Sequence, residues 1–94
     1  MKKSILTNDL EHCLVCGTNQ NIHIHHVIYG TAKRKLSDKY GLIVPLCATH
    51  HNMSKNGVHF NKTLDTRLKQ FAQRKFEEEF PELNFLKIFG KNYL

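Results

Sequence analysis

Apolar residues along this chain first alternate with polar ones and later recur with helical spacing. Ile22-His23-Ile24-His25-His26-Val27-Ile28-Tyr29 sets β-branched residues in near alternation with histidines, which predicts a strand. Gly30 to Lys39 is polar and predicts a loop carrying the basic run Lys33-Arg34-Lys35. Leu42-Ile43-Val44-Pro45-Leu46 predicts a short extended piece, and Pro45 argues against a central strand position. Residues 48–55 predict the start of a short helix, interrupted near Asn56-Gly57. From about Thr63 to Phe80 the pattern is helical: Leu64, Leu68, Phe71, Ala72, Phe76 and Phe80 lie on one stripe, with Asp65, Arg67, Lys69, Gln73 and Arg74 elsewhere. Pro81 stops this helix or starts a second one containing Leu83, Leu86, Ile88 and Phe89. The stripe reads first as core packing and second as a partner groove or dimer face.

Strands followed by helices give an α+β class. With 94 residues the chain is expected to form a single domain over 1–94, near the lower size limit for a self-sufficient apolar core. Domains this small often need a metal or disulfide staple. There are no repeats, low-complexity tracts or Pro/Gly/Ser linkers. No apolar run approaches the roughly 18–20 residues of a membrane span. Met1-Lys2-Lys3-Ser4-Ile5-Leu6 lacks the apolar segment of a signal peptide, so the expected location is the cytoplasm, where thiols stay reduced.

Charge adds a direction. The formal net charge is +6. Residues 1–62 hold eight Lys/Arg against three Asp/Glu, whereas residues 63–94 hold six against five. The positive field therefore accompanies the first two thirds of the chain, and it favours a polyanion, most commonly nucleic acid. Solubility alone is the plainer explanation of the same charge.

All three cysteines and all seven histidines fall between His12 and His59. An odd cysteine count argues against a closed disulfide set and for metal binding. Cys13-x2-Cys16 forms a knuckle closed by Gly17, which is free to take a positive φ. Cys47-x2-His50 offers a second pair with the same bite. Together Cys13, Cys16, Cys47 and His50 match a closed tetrahedral Cys3His site for structural Zn²⁺. Free buried thiols or a redox pair are the alternatives, and His12 is an alternative fourth ligand. Four protein ligands leave no open position, so this ion is not expected to be catalytic.

The zinc site does not need His23, His25, His26, His51 or His59. His25-His26-Val27-Ile28, then Val44-Pro45-Leu46-Cys47-Ala48-Thr49-His50-His51, then Gly57-Val58-His59 resembles the HNH endonucleases of phages and mobile elements, over roughly residues 13–60. The C-terminal helices resemble the tail of some short phage-type members. The resemblance implies a small ββα-metal, treble-clef-like (His-Me finger) domain in its zinc-stapled branch, with an HNH core over 12–60 and a helical extension over 61–94. It implies that His25 binds the catalytic ion, that His26 is the general base, and that His51 and His59 complete the metal site. The ion is then Mg²⁺, Mn²⁺, Ni²⁺ or Zn²⁺, the substrate DNA, and the setting a bacterial host cell carrying a phage or mobile element. A homodimer or an encoded partner protein would serve a double-strand cut.

Chemistry agrees with that division of labour. A neutral imidazole takes a proton from water near pH 7, and it must keep its lone pair off the metal to do so. Lys33, Arg34 and Lys35 are placed to hold flanking phosphates, or else form a solvated loop. The family's middle Asn falls at Gly41 or Leu42 here, and neither is Asn. Asp38 is the substitute, because Asp side chains bond nearby backbone N–H groups. His51 and His59 are too far apart for one helical turn, so the chain must break or loop to return His59; otherwise His50 and His51 exchange roles. His23 shares the His25 face and reads as a strand histidine with a satisfied hydrogen bond, or as a third residue near the metal. The competing functions are a non-catalytic zinc-binding nucleic-acid module on a degenerate HNH scaffold, and an assembly subunit using Phe71, Phe76 and Phe80.

Overall fold

A computed structural model describes residues 3–53, 57–59 and 61–94, without the side chains of Asn52 and Met53. Asn56, the first half of the expected helix interruption, and residues 54–55 lie outside the described residues. In order, the chain forms β1 (Ile22–His26), α1 (Lys33–Tyr40), β2 (Ile43–Cys47), one π-helical turn (Thr49–Met53), α2 (Lys62–Glu79) and α3 (Phe85–Phe89). The architecture is α+β.

β1 and β2 pair antiparallel, with His25 opposite Val44 and His26 opposite Ile43. Every β2 residue is buried. Pro45 is tolerated because the pair has only two strands. Its carbonyl faces away from β1 and accepts from the Leu14 N–H at 2.9 Å, so its missing N–H costs the ladder nothing. The Ser4 hydroxyl donates to the Ile43 carbonyl at 2.6 Å on the same outer edge. The lead-in and the Cys13–Cys16 knuckle thus cover what would be a bare strand edge.

The strand is shorter than the alternation predicts. It ends at His26 rather than Tyr29: the Val27 N–H still donates to the Leu42 carbonyl in the same register, and the chain then bends. The expected loop over Gly30–Lys39 is corrected more sharply: residues 33–40 form α1. Ser37, fully buried, bolts that helix to the bend; its hydroxyl donates to the Ile28 carbonyl at 2.6 Å and accepts from the Ile28 N–H at 3.3 Å. Gly41 caps α1 with φ 75°, and its N–H meets the Asp38 carbonyl. A Cβ there would lie 2.9 Å from the Lys3 carbonyl oxygen and 3.0 Å from the Ile5 nitrogen, so only glycine fits.

After β2 the expected helix over 48–55 is a π-helical turn instead. α2 starts at the Asn61 cap, whose side chain accepts from the Leu64 N–H at 3.1 Å. Its buried positions are Leu68, Ala72, Gln73 and Phe76, with Leu64, Phe71 and Phe80 half-buried. The helical stripe is therefore core, as its periodicity predicts. Phe76 is fully buried and unavailable to a partner. Gln73 is the polar exception, and its amide is satisfied by the Asn92 side chain at 2.7 Å and the Tyr93 N–H at 2.8 Å. α3 buries Phe85 and Phe89, whereas Leu83, expected within this helix, precedes it, and both Leu83 and Leu86 are exposed. The Asn84 cap, accepting from the Lys87 N–H, sets that phase. Phe76, Phe85 and Phe89 join Val27, Ile28, Leu42, Val44 and Leu46 in one apolar cluster, so the helical tail seals the same core that supports the sheet. Among the described residues no helix is long and apolar enough to cross a membrane.

Candidate functional site

Among the described residues two groups of metal-capable side chains form: Cys13, Cys16, Cys47 and His50, and His25, His51 and His59.

The first group is assembled by the knuckle and the end of β2. The Gly17 N–H returns to the Cys13 carbonyl at 2.8 Å with Gly17 at φ 80°, which closes the turn carrying both thiols. Cys16 Sγ lies 3.7 Å from Cys47 Sγ, Cys47 Sγ 3.3 Å from His50 Nδ1, and Cys13 Sγ 3.9 Å from His50 Nδ1. A tetrahedral ion with metal–sulfur bonds of about 2.3 Å and metal–nitrogen bonds of about 2.0–2.1 Å sets edges of about 3.8 Å (S···S) and about 3.6 Å (S···N). The observed S···N edges bracket their value and the S···S edge lies close to its own, so these four residues can hold a metal ion. Burial opposes ionisation of the Cys13 thiol, but the N–H groups of Cys47, Cys16 and Val15 and the Cys16 thiol outweigh it and bring its pKa down to about 6. One ligand is thus close to the thiolate form a metal requires. His12 is engaged elsewhere, 2.8 Å from Asp9 Oδ2.

The second group depends on the π-helical turn. The Val58 N–H donates to the His50 carbonyl at 2.8 Å and the His59 N–H to the His51 carbonyl at 3.2 Å. This return loop does what a continuous helix would not: it lays His59 beside His51, with their Nε2 atoms 3.1 Å apart. His25 reaches them from β1, its ring 5.3 Å from that of His51 and 5.2 Å from that of His59. Its Nε2 is buried and has no hydrogen-bond partner among the described residues. Leaving a buried imidazole nitrogen unpaired costs on the order of 1–3 kcal/mol, which a bound ion would offset. Two imidazoles sharing a tetrahedral ion stand about 3.3 Å apart, close to the His51–His59 separation. Burial first, and then repulsion from His51, His59, His26 and Lys69, holds the His25 pKa down to about 3. Burial, His59 and His23 hold that of His51 to about 4. Both rings are therefore neutral at pH 7, the form that coordinates metals.

His26, next along β1, does not join this trio. Its Nε2 donates to Asp38 Oδ1 at 2.9 Å. Asp38 was expected to hold backbone; here its carboxylate reaches the His26 ring from α1, because Ser37 fixes that helix against the end of β1. Lys33, Arg34 and Lys35, expected on a loop, form the first turn of α1. Arg34 reaches a cavity of about 520 Å³ that it lines together with His25, His26, Tyr29, His51 and His59.

Three participants carried no sequence signal. Tyr29 walls the cavity, with its ring 5.3 Å from that of His59 and 5.9 Å from that of His25. From α2, Lys69 sits 4.4 Å over the Tyr29 ring and 2.9 Å from Asp65 Oδ2. Desolvation and then the Asp65 carboxylate raise the Tyr29 pKa, so the phenol stays protonated. The helix whose stripe reads as core packing or a partner face therefore also backs the cavity wall. His23, half-buried, places Nδ1 2.9 Å from His51 Nδ1.

The chain matches no protein-family model, no curated protein and no solved structure. What the site can do follows from its own atoms: three imidazoles able to share an ion, a fourth paired with a carboxylate, and a guanidinium facing one cavity.

Proposed function

We propose that this chain is a metal-dependent HNH endonuclease that hydrolyses DNA phosphodiester bonds, with structural Zn²⁺ at Cys13, Cys16, Cys47 and His50. The observation that carries the reading is the convergence of His25, His51 and His59 in the cavity that His26 and Arg34 also line. Two antiparallel strands followed by a turn bearing metal-capable histidines fit the ββα-metal arrangement of that family.

His26 is the general base. Donating Nε2–H to Asp38 fixes the tautomer in which Nδ1 keeps its lone pair. As a water oxygen bonds to phosphorus and the P–O3′ bond breaks, the water's proton passes to His26 Nδ1. The resulting imidazolium is stabilised by the Asp38 carboxylate, which needs no rearrangement to do so. His25, His51 and His59 would hold a divalent ion, which when bound would supply Lewis-acid stabilisation of charge on the phosphate and the leaving oxygen.

The basic turn of α1 supports a polyanionic substrate. That turn lacks an acidic residue and a side-chain cap, and it opens instead with Lys33, Arg34 and Lys35. Cations at a helix N-terminus oppose the macrodipole by about 0.3–1 kcal/mol each. A turn that is locally unfavourable in isolation is well matched to an anion that meets the positive end of the helix and its cations together. The contacts are to phosphate rather than base edges, so cleavage of low sequence specificity is expected.

Conversion of supercoiled plasmid to nicked or linear form, with Mn²⁺, Mg²⁺ or EDTA, tests the proposal. Cleavage by the wild type that requires the ion and disappears in a folded, zinc-loaded His26→Ala protein is expected. DNA binding without cleavage under any ion would leave a binding module on a degenerate HNH scaffold.

A further inference from the structure

Resting on the ion site just proposed, we infer that His23 is a positioning residue that fixes the tautomer and ring orientation of the ligand His51. The basis is the way the two nitrogens of the His51 ring are allotted. Nε2 faces His59 Nε2 at 3.1 Å, and Nδ1 faces His23 Nδ1 at 2.9 Å. The His23 and His51 rings stand nearly perpendicular, at 86°, with centroids 5.1 Å apart, so the contact is edge-on rather than stacked.

The protons then follow by elimination. A coordinating nitrogen must present its lone pair, and a neutral imidazole has only one N–H. Only Nε2 of His51 converges with His59, so an ion between them takes Nε2 and the proton sits on Nδ1. His51 Nδ1–H therefore donates to His23 Nδ1, which must be an acceptor, and His23 carries its own proton on Nε2. This is the arrangement in which a ligating histidine gives its second N–H to an outer partner, with imidazole in the place usually held by a carboxylate or carbonyl.

The strand makes the contact possible. β1 alternation puts His23 and His25 on one face, two residues apart. One strand thereby presents both a ligand, His25, and the residue that aims a second ligand arriving from the π-helical turn. Because that turn is short and returns through the Val58 and His59 N–H bonds, its His51 ring gains an anchor on the sheet.

The experiment is Co²⁺ titration of protein already holding one equivalent of Zn²⁺, followed by the visible absorption of nitrogen-ligated Co²⁺ without a thiolate charge-transfer band. His23→Ala should weaken that binding by about 10–100-fold. His23→Asn, whose side-chain carbonyl keeps an acceptor near the Nδ1 position, should restore most of it, a rescue that a merely space-filling role would not give. Equal Co²⁺ affinity in wild type and His23→Ala overturns the inference while leaving the ion site standing, as does an Asn variant no better than Ala. A folded wild type that binds no second ion overturns both.

Discussion

Asp38 Oδ1 accepts a 2.9 Å hydrogen bond from His26 Nε2, joining a residue of α1 to the last residue of β1. The contact spans two elements that Ser37 and Gly41 hold in register, so it is a product of tertiary structure rather than of local sequence. It decides which nitrogen of His26 is free to take a proton.

Removing that carboxylate should leave the base present and misdirected. Asp38→Ala is expected to lower kcat for plasmid nicking by about 10–100-fold with little change in KM or in the affinity for the catalytic ion. Asp38→Asn, which keeps an acceptor but not the charge, should fall between. A loss of ion affinity equal to the loss of kcat would place Asp38 in the metal site instead and remove it from the role proposed here.

Acid should destabilise the protein through the buried imidazoles. In the unfolded chain a histidine titrates near 6.5, whereas folded His25 holds its pKa at about 3 and His51 at about 4. Between those values the unfolded state binds more protons, so stability falls as pH is lowered below about 6.5 and is level above about 7. The slope from His25 alone approaches about 1.4 kcal/mol per pH unit in the middle of that window. Urea midpoints of the protein without the second ion, from pH 5 to 8, give the slope. His25→Asn should flatten it; an unchanged slope would assign the acid sensitivity to other groups.

The two ions should differ in what their loss does. Cys47 lies at the end of β2 and Cys13 in the knuckle whose Leu14 N–H covers the strand, so an ion there ties two parts of a small core. Chelation of this ion, or Cys47→Ser, is expected to abolish the cooperative thermal transition and release one equivalent of Zn²⁺. Displacing the ion from His25, His51 and His59 should abolish cleavage and leave the transition nearly in place. A protein that keeps its transition after complete Zn²⁺ removal would contradict the staple.

The resemblance to HNH endonucleases grouped His25, His51 and His59, whereas the Cys13, Cys16, Cys47 and His50 set, whose ligand chemistry is confined to few side chains, was singled out by residue type and spacing. They also fixed α2, whose stripe extends over five turns. What they missed was held by long-range bonds. α1 has no capping side chain at Ala32 and no first-turn acid, the two marks by which a helix start is read, and is secured by Ser37 on Ile28. The partners of Tyr29 arrive from α2, some forty residues on, so Asp65 and Lys69 read as ordinary surface of an amphipathic helix. The phase of α3 was legible after all: Asn84 is a good cap, and counting from it places Phe85 and Phe89 on one face.

Arg34 reaches the cavity from the first turn of α1, so its loss should act on the substrate and not on the fold. Arg34→Ala is expected to weaken DNA binding and to reduce the slope of log affinity against log salt by about one. The weakening should be similar across sequences, as for a phosphate contact. A change confined to one target sequence would instead mark Arg34 as a base reader.

Placing an asparagine at Gly41, where the HNH endonucleases that the sequence resembles carry one, should harm this protein. Gly41 takes φ 75°, and its missing Cβ leaves room for the Lys3 carbonyl oxygen and the Ile5 nitrogen, which would meet that atom at 2.9 and 3.0 Å. Asparagine tolerates the left-handed backbone better than most residues, so the dihedral alone would cost little. The clash with backbone is another matter, since neither atom belongs to a flexible side chain. Relieving it must move the lead-in, whose Ile5 N–H donates to the Gly41 carbonyl at 2.9 Å and whose Ser4 hydroxyl covers the β2 edge. Gly41→Asn is therefore expected to lower stability by about 1–3 kcal/mol, read as a shift of the urea midpoint. If α1 shifts with it, Asp38 leaves His26 and cleavage falls as well. A Gly41→Asn protein of wild-type stability and higher activity would mean that this corner has room for the family's side chain, and that Asp38 is not what took over its task.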